Sequence, residues 1–88
     1  EPDRAEALRE RAAALIELAG QEGVALIRDS YLQNKDLPDV TRDRLLQALA
    51  IQYRSADAPT RNFITQEVAT LSRTIPGFRE AAQLQFGF

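Results

Sequence analysis

Carboxylates are the only abundant side chains in this sequence that could act as general acids or bases. The 88 residues include no His and no Cys, which removes the commonest general base, the commonest nitrogen ligand of metals and every thiolate. Two pairs of acids have helical spacing, Glu6 with Glu10 and Asp39 with Asp43. Two carboxylates divide acid and base roles only where burial separates their pKa values. Both pairs fall on charged faces, so the pattern predicts solvated side chains and no catalytic dyad.

Other reactive groups lack the partners that their chemistry requires. Asn34, Asp36 and Asp39 offer oxygen atoms in one loop, but the Gly and the terminal Glu of a calcium loop are missing. Ser30 precedes Lys35, the sole lysine, by five residues and not by the three of a serine–lysine nucleophile motif. The sequence contains no glycine-rich phosphate loop. We therefore expect no catalytic residue, no metal site and no bound cofactor.

Helical periodicity runs through most of the chain. Apolar residues recur three and four positions apart, and this spacing predicts amphipathic helices. We expect a first helix over residues 3–19 and a second over residues 21–33. Gly20 and Gly23 favour a break between these two helices, with a left-handed cap at the end of the first. One long bent helix, in which the glycines let two backbones approach closely, is the alternative.

Both of these predicted helices carry an apolar stripe that should face the core. The stripe of the first helix consists of Leu8, Ala12, Leu15, Ile16 and Ala19. The stripe of the second helix consists of Val24, Ile27 and Tyr31, with Leu26 beside them. Most charged residues of the first helix fall on the opposite side, so one face of it is expected to be buried and the other hydrated.

The connection at residues 34–39 (NKDLPD) is the clearest boundary in the sequence. A residue before proline is pushed out of the helical conformation, so no helix should pass through this segment. Thr41 is the predicted N-cap of the next helix, and Val40 and Leu45 have the spacing of a hydrophobic staple around it. We expect this third helix over residues 41–54. Its apolar face consists of Leu45, Leu46, Leu49 and Tyr53.

A second turn at residues 55–59 (SADAP) precedes the fourth predicted helix. Asp57 suits the N-cap position, and Pro59 is accepted in a first helical turn. We expect this helix over residues 58–75, until the Pro-Gly pair that follows. Its apolar stripe consists of Phe63, Ile64, Val68, Leu71 and Ile75.

The last segment, FREAAQLQFGF, supports two interpretations. A helical turn or two is indicated by the spacing of Phe78, Ala81, Ala82 and Gln85. A strand is indicated by the alternation of Leu84, Phe86 and Phe88 with Gln83, Gln85 and Gly87. Both can hold in succession.

The same segment places three large apolar side chains in the last five residues of the sequence, where chain ends are normally polar. Either they fold back and complete the core, or they enter a groove or extend a sheet edge of a partner. On the second alternative, the predicted partner-binding residues are Leu84, Phe86, Phe88 and Phe78.

Charge is unevenly distributed along the chain. The net charge of −2 divides into −4 over residues 1–39 and +2 over residues 40–88. The arginines that could contact phosphates in a helix-turn-helix are Arg42, Arg44, Arg61 and Arg73. A DNA-binding domain usually has a high pI and a continuous basic stripe, whereas this chain has a pI near 5.0 and acids among those arginines. Nucleic acid is therefore not the expected partner.

Together these patterns predict an all-α fold, a small antiparallel bundle of four to five helices with a short C-terminal extension. Residues 1–88 should form a single domain, with residues 79–88 as a separate tail in the alternative. Every apolar run is too short to span a bilayer. The predicted function is a non-catalytic protein–protein interaction or assembly module that binds a protein partner or a second copy of itself.

Three alternatives stay open. Glu1 in place of Met and the lack of cysteine fit a small exported, periplasmic helical protein, which an upstream signal segment would identify. A helix-turn-helix regulator would bind duplex DNA in a salt-dependent way and weaken when Arg42, Arg44 or Arg61 is replaced. A small-molecule site between helices would leave no motif in the sequence. The compartment and the oligomeric state do not follow from the sequence.

Overall fold

The computed structural model describes residues 4–87, and these residues fold into five helices without any β-strand. The helices are α1 (Arg4–Ala19), α2 (Gln21–Ile27, continued by a π-helical turn at Arg28–Leu32), α3 (Asp39–Ser55), α4 (Ala58–Thr74) and α5 (Phe78–Phe86). The bounds of the first four lie within two residues of the predicted ones. The predicted all-α bundle is therefore confirmed.

α1 and α3 lie side by side with their N-terminal ends close together, and α3 and α5 lie side by side with their C-terminal ends close together. Glu6 lies beside Arg44 near the start of α1 and α3, with 3.4 Å between Oε1 and Nε. The ring of Tyr53 contacts that of Phe86 near the end of α3 and α5. The helices pack in a closed ring in the order α1, α2, α4, α5 and α3. α3 packs on both α1 and α5 and buries more residues than any other helix described.

Two glycines form the hairpin between α1 and α2. Gly20 ends α1 with a φ of 57°, in the left-handed region that residues with a Cβ rarely adopt. Gly23, in the first turn of α2, is buried directly against the backbone of α1 at Leu15 and Ile16. The predicted helix break therefore occurs at Gly20. The close backbone approach, which the sequence offers as an alternative to the break, occurs at Gly23.

A π-helical turn continues α2. The N–H of Gln33 donates to the carbonyl of Arg28, five residues earlier, at 3.1 Å. The wider turn adds one residue, so Leu32 and not Tyr31 reaches the core behind Ile27. Leu32 is 3% exposed, whereas Tyr31 is only half-buried. The predicted stripe of this helix is thus shifted by one residue at its end.

The placement of Leu26 beside that stripe is wrong. Its side chain is 53% exposed. Leu26 follows the buried Val24 by two residues, which is about 200° around a helix with 3.6 residues per turn. The buried face of α2 is therefore narrower than predicted.

The predicted start of α3 is also wrong. The helix begins at Asp39, because the carbonyl of Pro38 already accepts its first hydrogen bond, at 3.0 Å. Thr41 lies inside the first turn and is not the N-cap. Val40 is 55% exposed while Leu45 is completely buried, so the predicted hydrophobic staple does not form. An acid at the first position suits the positive end of the helix dipole, which explains the earlier start.

The start of α4 agrees with the prediction. Asp57 is the N-cap, and its Oδ1 accepts a hydrogen bond from the backbone N–H of Thr60 at 3.0 Å. Pro59 lies in the first turn, where its missing N–H is not needed. Hydrogen bonds from the side chain of Thr60, and to a smaller extent from its backbone N–H, lower the pKa of Asp57.

The core lies inside the ring of helices, and every helix contributes to it. Its largest completely buried side chains are Phe78, Leu45, Leu46, Ile64 and Val24. α1 and α3 pack together, and each contributes a small residue, Ala12 and Ala48, to this core. The C-terminal helix α5 packs on α3 and α4 and contributes Phe78, Ala81 and Ala82 to this core.

Candidate partner-binding surface

The C-terminal segment is a helix as far as Phe86, so the strand interpretation is wrong for the described residues. Gly77, before the helix, and Gly87, after it, bound α5. In a helix, residues two apart lie about 200° from each other around the axis. Leu84 and Phe86 therefore lie on nearly opposite sides of α5 and do not form one apolar patch. Phe88, the third member of the predicted patch, lies outside the described residues.

Phe78 belongs to the core. It is completely buried at the first position of α5 and is the largest of the fully enclosed side chains. A partner could contact it only if α5 left the bundle. Phe78 therefore lies where the alternative of a segment that folds back onto the core expects it, and its role in binding a partner stays a prediction.

Phe86 packs the end of α5 against α3. Its ring meets that of Tyr53 edge to face, with 5.8 Å between the ring centroids and an angle of 87° between the planes. This T-shaped arrangement is one that aromatic rings prefer. Both side chains are half-buried at the edge of the core. Phe86 therefore positions α5, and only part of its surface is accessible to a partner.

Among the three predicted residues that the structure describes, Leu84 is the most exposed, at 83%. Other large apolar side chains on the surface are Leu18, Leu26, Val40 and Ile51. Single exposed apolar residues are normal on soluble proteins, and they mark a binding surface only when they form a continuous patch. Leu84 alone therefore does not define a site.

A groove between α4 and α5 is a stronger candidate. It has a volume of about 400 Å³. Its apolar surface comes from Val68, Ala69 and Ala82. Thr65, Ser72 and Gln83 add hydroxyl and amide groups along the sides. We refer to this surface as the α4–α5 groove. The turn at Ile75–Gly77 joins α4 to α5, and the contact between the two helices forms the groove.

Two cations line the α4–α5 groove near that turn. Arg73 and Arg79 are exposed, and neither forms a salt bridge with a carboxylate anywhere in residues 4–87. Arg73 has a weak contact of 3.4 Å from Nη2 to the hydroxyl of Thr70. The groove thus combines an apolar surface with two positive charges whose counter-charge the described chain does not supply.

Arg28, by contrast, is satisfied within the fold. Its Nε lies 2.8 Å from Oδ1 of Asp29, and its Nη1 lies 2.9 Å from Oε1 of Glu67 on α4. These hydrogen bonds raise the pKa of Arg28 and lower the pKa of Asp29. The contact with Glu67 joins the π-helical turn to α4, so this charge stabilises the fold and is not offered to a ligand.

The arginines named for DNA binding do not form a basic stripe. Arg42 lies 3.5 Å from Asp39 and 3.3 Å from Asp43. Arg44 contacts Glu6 on α1, and Glu6 also pairs with Arg9. Two of the four predicted cations are therefore held by neighbouring acids. Arg61 and Arg73 lie on exposed turns of α4.

The same contacts involve three of the four acids that have helical spacing in the sequence. Glu6, Asp39 and Asp43 are members of these ion pairs. In the 34–39 loop, Oδ1 of Asn34 accepts a hydrogen bond from the backbone N–H of Asp36 at 3.0 Å, which is a local turn. Among residues 4–87, no three His, Cys, Asp or Glu side chains come together as a metal site would require.

Sequence reasoning missed the α4–α5 groove. Ala69 and Ser72 lie outside the apolar stripe of α4, so in the sequence they belong to its polar side. Only the position of α5 turns that side into the wall of a groove.

None of the described helices has the length and apolarity to cross a bilayer. No protein-family model matches the chain, and comparisons with curated proteins and with solved structures find no similar protein.

Proposed function

We propose that this chain is a non-catalytic module that binds a protein partner in the α4–α5 groove. The observation that carries the proposal is the combination of the apolar surface at Val68, Ala69 and Ala82 with the unpaired charges of Arg73 and Arg79. Arg is enriched in protein interfaces, where a dry apolar centre is surrounded by a polar rim. The groove has this composition.

The charges indicate what kind of segment would bind. A helix or extended peptide that inserts small apolar side chains between α4 and α5 would bring its own backbone close to Arg73 and Arg79. Carboxylates on such a segment would form planar, charge-assisted pairs with the guanidinium groups. We therefore expect an acidic, amphipathic peptide segment, and we expect its binding to weaken with salt.

The predicted tail residues keep separate roles in this proposal. Phe86 holds α5 in place through Tyr53 and so maintains one wall of the groove. Leu84 lies away from the groove lining and is a predicted additional contact. Phe88 also stays a prediction. A partner that used Leu84 and Phe88 but not the groove would support the tail alternative.

A selection from a random 16-residue peptide library against the full chain tests the proposal. Enriched peptides should share apolar residues at helical spacing with flanking Asp or Glu. Their binding should be lost in Ala69→Arg, which places a long side chain in the groove, and kept in Ala14→Arg, the same change at an exposed position of α1. Ala69 is exposed, so the fold should tolerate this change.

Charge reversal gives a second measurement on the same peptides. Arg79→Glu should weaken acidic peptides and Arg54→Glu, at an exposed position of α3, should not. Peptides that bind the Ala69→Arg variant as tightly as the wild type, or a library from which nothing is enriched, would contradict the proposal.

A further inference from the structure

A crevice between α1 and α2 extends from the surface into the core. Its volume is about 170 Å³. Its apolar walls come from Leu8, Ala12, Leu15, Ile27 and Leu45. Ala12 and Ile27 are buried, and Leu45 on α3 is completely enclosed, so the inner end of the crevice is core surface. This crevice is on a different part of the molecule from the α4–α5 groove and shares no lining residue with it.

The π-helical turn explains why this space is not filled by the protein itself. In an unbroken α-helix Tyr31 would follow Ile27 by one turn and point into the core on the same face. The extra residue brings Leu32 into that position and leaves Tyr31 half-buried as a wall of the crevice. π-helical turns are rare and occur frequently at functional sites. The irregular turn and the crevice therefore occur at the same place.

Two polar groups on the lining of the crevice have no partner within residues 4–87. Arg11 is exposed and forms no salt bridge with any carboxylate in residues 4–87. The hydroxyl of Tyr31 takes part in none of the side-chain hydrogen bonds of the described chain. A guanidinium and a phenol on the lining of an apolar space are suited to an anionic head group, because both donate hydrogen bonds to oxygen.

We propose that this crevice binds a small amphipathic carboxylate. An apolar cavity of roughly 150 Å³ accepts a benzene-sized guest, so the apolar part of the ligand is a single ring or a chain of about six carbons. The carboxylate pairs with Arg11, and the hydroxyl of Tyr31 donates a second hydrogen bond to it. The ring or chain contacts Leu15, Ile27 and Leu45.

Titration of the full chain with 3-phenylpropionate, followed by amide NMR spectra, tests this site. The uncharged 3-phenyl-1-propanol has the same ring and nearly the same length and is the matched control. We expect saturable shifts confined to residues of the crevice on α1, α2 and α3. The acid should bind at least about tenfold more tightly than the alcohol, because one charge-assisted hydrogen bond accounts for such a factor.

Three variants connect the result to the crevice. Arg11→Gln should remove the preference for the acid over the alcohol. Arg4→Gln, which removes an exposed charge on the same helix away from the crevice, should keep it. Leu15→Phe should fill the space and abolish binding of both compounds. If Leu15→Phe does not fold, the comparison of Arg11→Gln with Arg4→Gln is sufficient to test whether Arg11 binds the carboxylate.

Three results would each overturn the proposal. The first is equal binding of the acid and the alcohol by the wild type, and the second is a set of shifts that do not saturate. The third is an unchanged preference in Arg11→Gln. The groove variant Ala69→Arg should bind 3-phenylpropionate as the wild type does, so this site and the proposed partner site succeed or fail independently.

Discussion

Gly23 of α2 lies directly on the backbone of Leu15 in α1. A Cβ built on Gly23 would be 2.7 Å from the carbonyl oxygen of Leu15, closer than real Cβ contacts. The carbonyl belongs to the α1 backbone and cannot rotate away as a side chain would. The separation of α1 and α2 is therefore set by the absence of a side chain at this position.

Gly23→Ala should destabilise the protein by about 1–3 kcal/mol, because the methyl group forces the two helices apart. Helix propensity alone predicts the opposite sign, since Ala is favoured over Gly inside a helix by roughly 1 kcal/mol. Urea denaturation followed by circular dichroism distinguishes the two effects. The neighbouring change Glu22→Ala, at an exposed position, is the control and should alter stability by less than about 0.5 kcal/mol. A Gly23→Ala variant as stable as the wild type would show that the helices separate without cost.

Phe86→Ala should destabilise the protein by about 1–2 kcal/mol, through loss of the edge-to-face contact with Tyr53 and of the apolar surface around it. Leu84→Ala truncates a large apolar side chain of the same helix at an exposed position and should have almost no effect on stability. Thermal denaturation of both variants makes the comparison. Equal effects of the two changes would mean that α5 is not fastened by Phe86.

A chain that ends at Gln83 extends this test to the whole tail. Gel filtration with light scattering, followed by denaturation, should show a less stable protein than the full chain, because Phe86 is removed. If the shortened chain has the same oligomeric state and the same stability as the full chain, neither the packing role of Phe86 nor a role of the tail in self-association holds.

Asp57 should contribute to the acid sensitivity of the fold. Hydrogen bonds from Thr60 lower the pKa of Asp57 in the folded state below that in the unfolded chain. Its contribution is therefore complete above the unfolded pKa, near 3.9, and is lost as the pH falls through the lower folded value. Asp57→Asn keeps a capping oxygen but no titrating carboxylate. It should flatten the loss of stability between roughly pH 5 and pH 2.

Thermal melting across that pH range checks this prediction, with Asp36→Asn as the control. Asp36 is exposed in the 34–39 loop. Asp57→Ala, which removes the cap altogether, should be less stable than Asp57→Asn at neutral pH. If the Tm of Asp57→Asn changed with pH by the same amount as the Tm of the wild type, the assignment would be contradicted.

Arg28 and Glu67 should be coupled energetically, because their ion pair of 2.9 Å connects the π-helical turn to α4. A double-mutant cycle with Arg28→Gln and Glu67→Gln should give a coupling of about 0.5–1 kcal/mol, smaller at high salt. The same cycle with Asp29→Asn in place of Glu67→Gln should give less, since Asp29 is more exposed and adjacent in sequence. Equal coupling in the two cycles would mean that the pair does not hold the helices together.

The tail segment shows where sequence reasoning reaches its limit. Residues 78–88 have both the apolar spacing of a helix and the alternation of a strand, and the segment's own sequence does not decide between them. Phe78, Ala81 and Ala82 become buried because α3 and α4 already form a surface that fits a helix. Once the segment is helical, Leu84 and Phe86 separate to opposite sides. The predicted patch therefore depended on a conformation that packing against two other helices excluded.

Local chemistry in the sequence determined the first four helices and most of their ends, with the start of α3 as the exception. Apolar spacing, the proline in the 34–39 loop, the cap at Asp57 and the break at Gly20 act within a few residues, so they can be read without a partner element. The tertiary structure alone decided which arginines are paired, where the π-helical turn shifts the stripe, and where grooves remain. These properties depend on the distances between helices, and side chains far apart in the sequence set those distances.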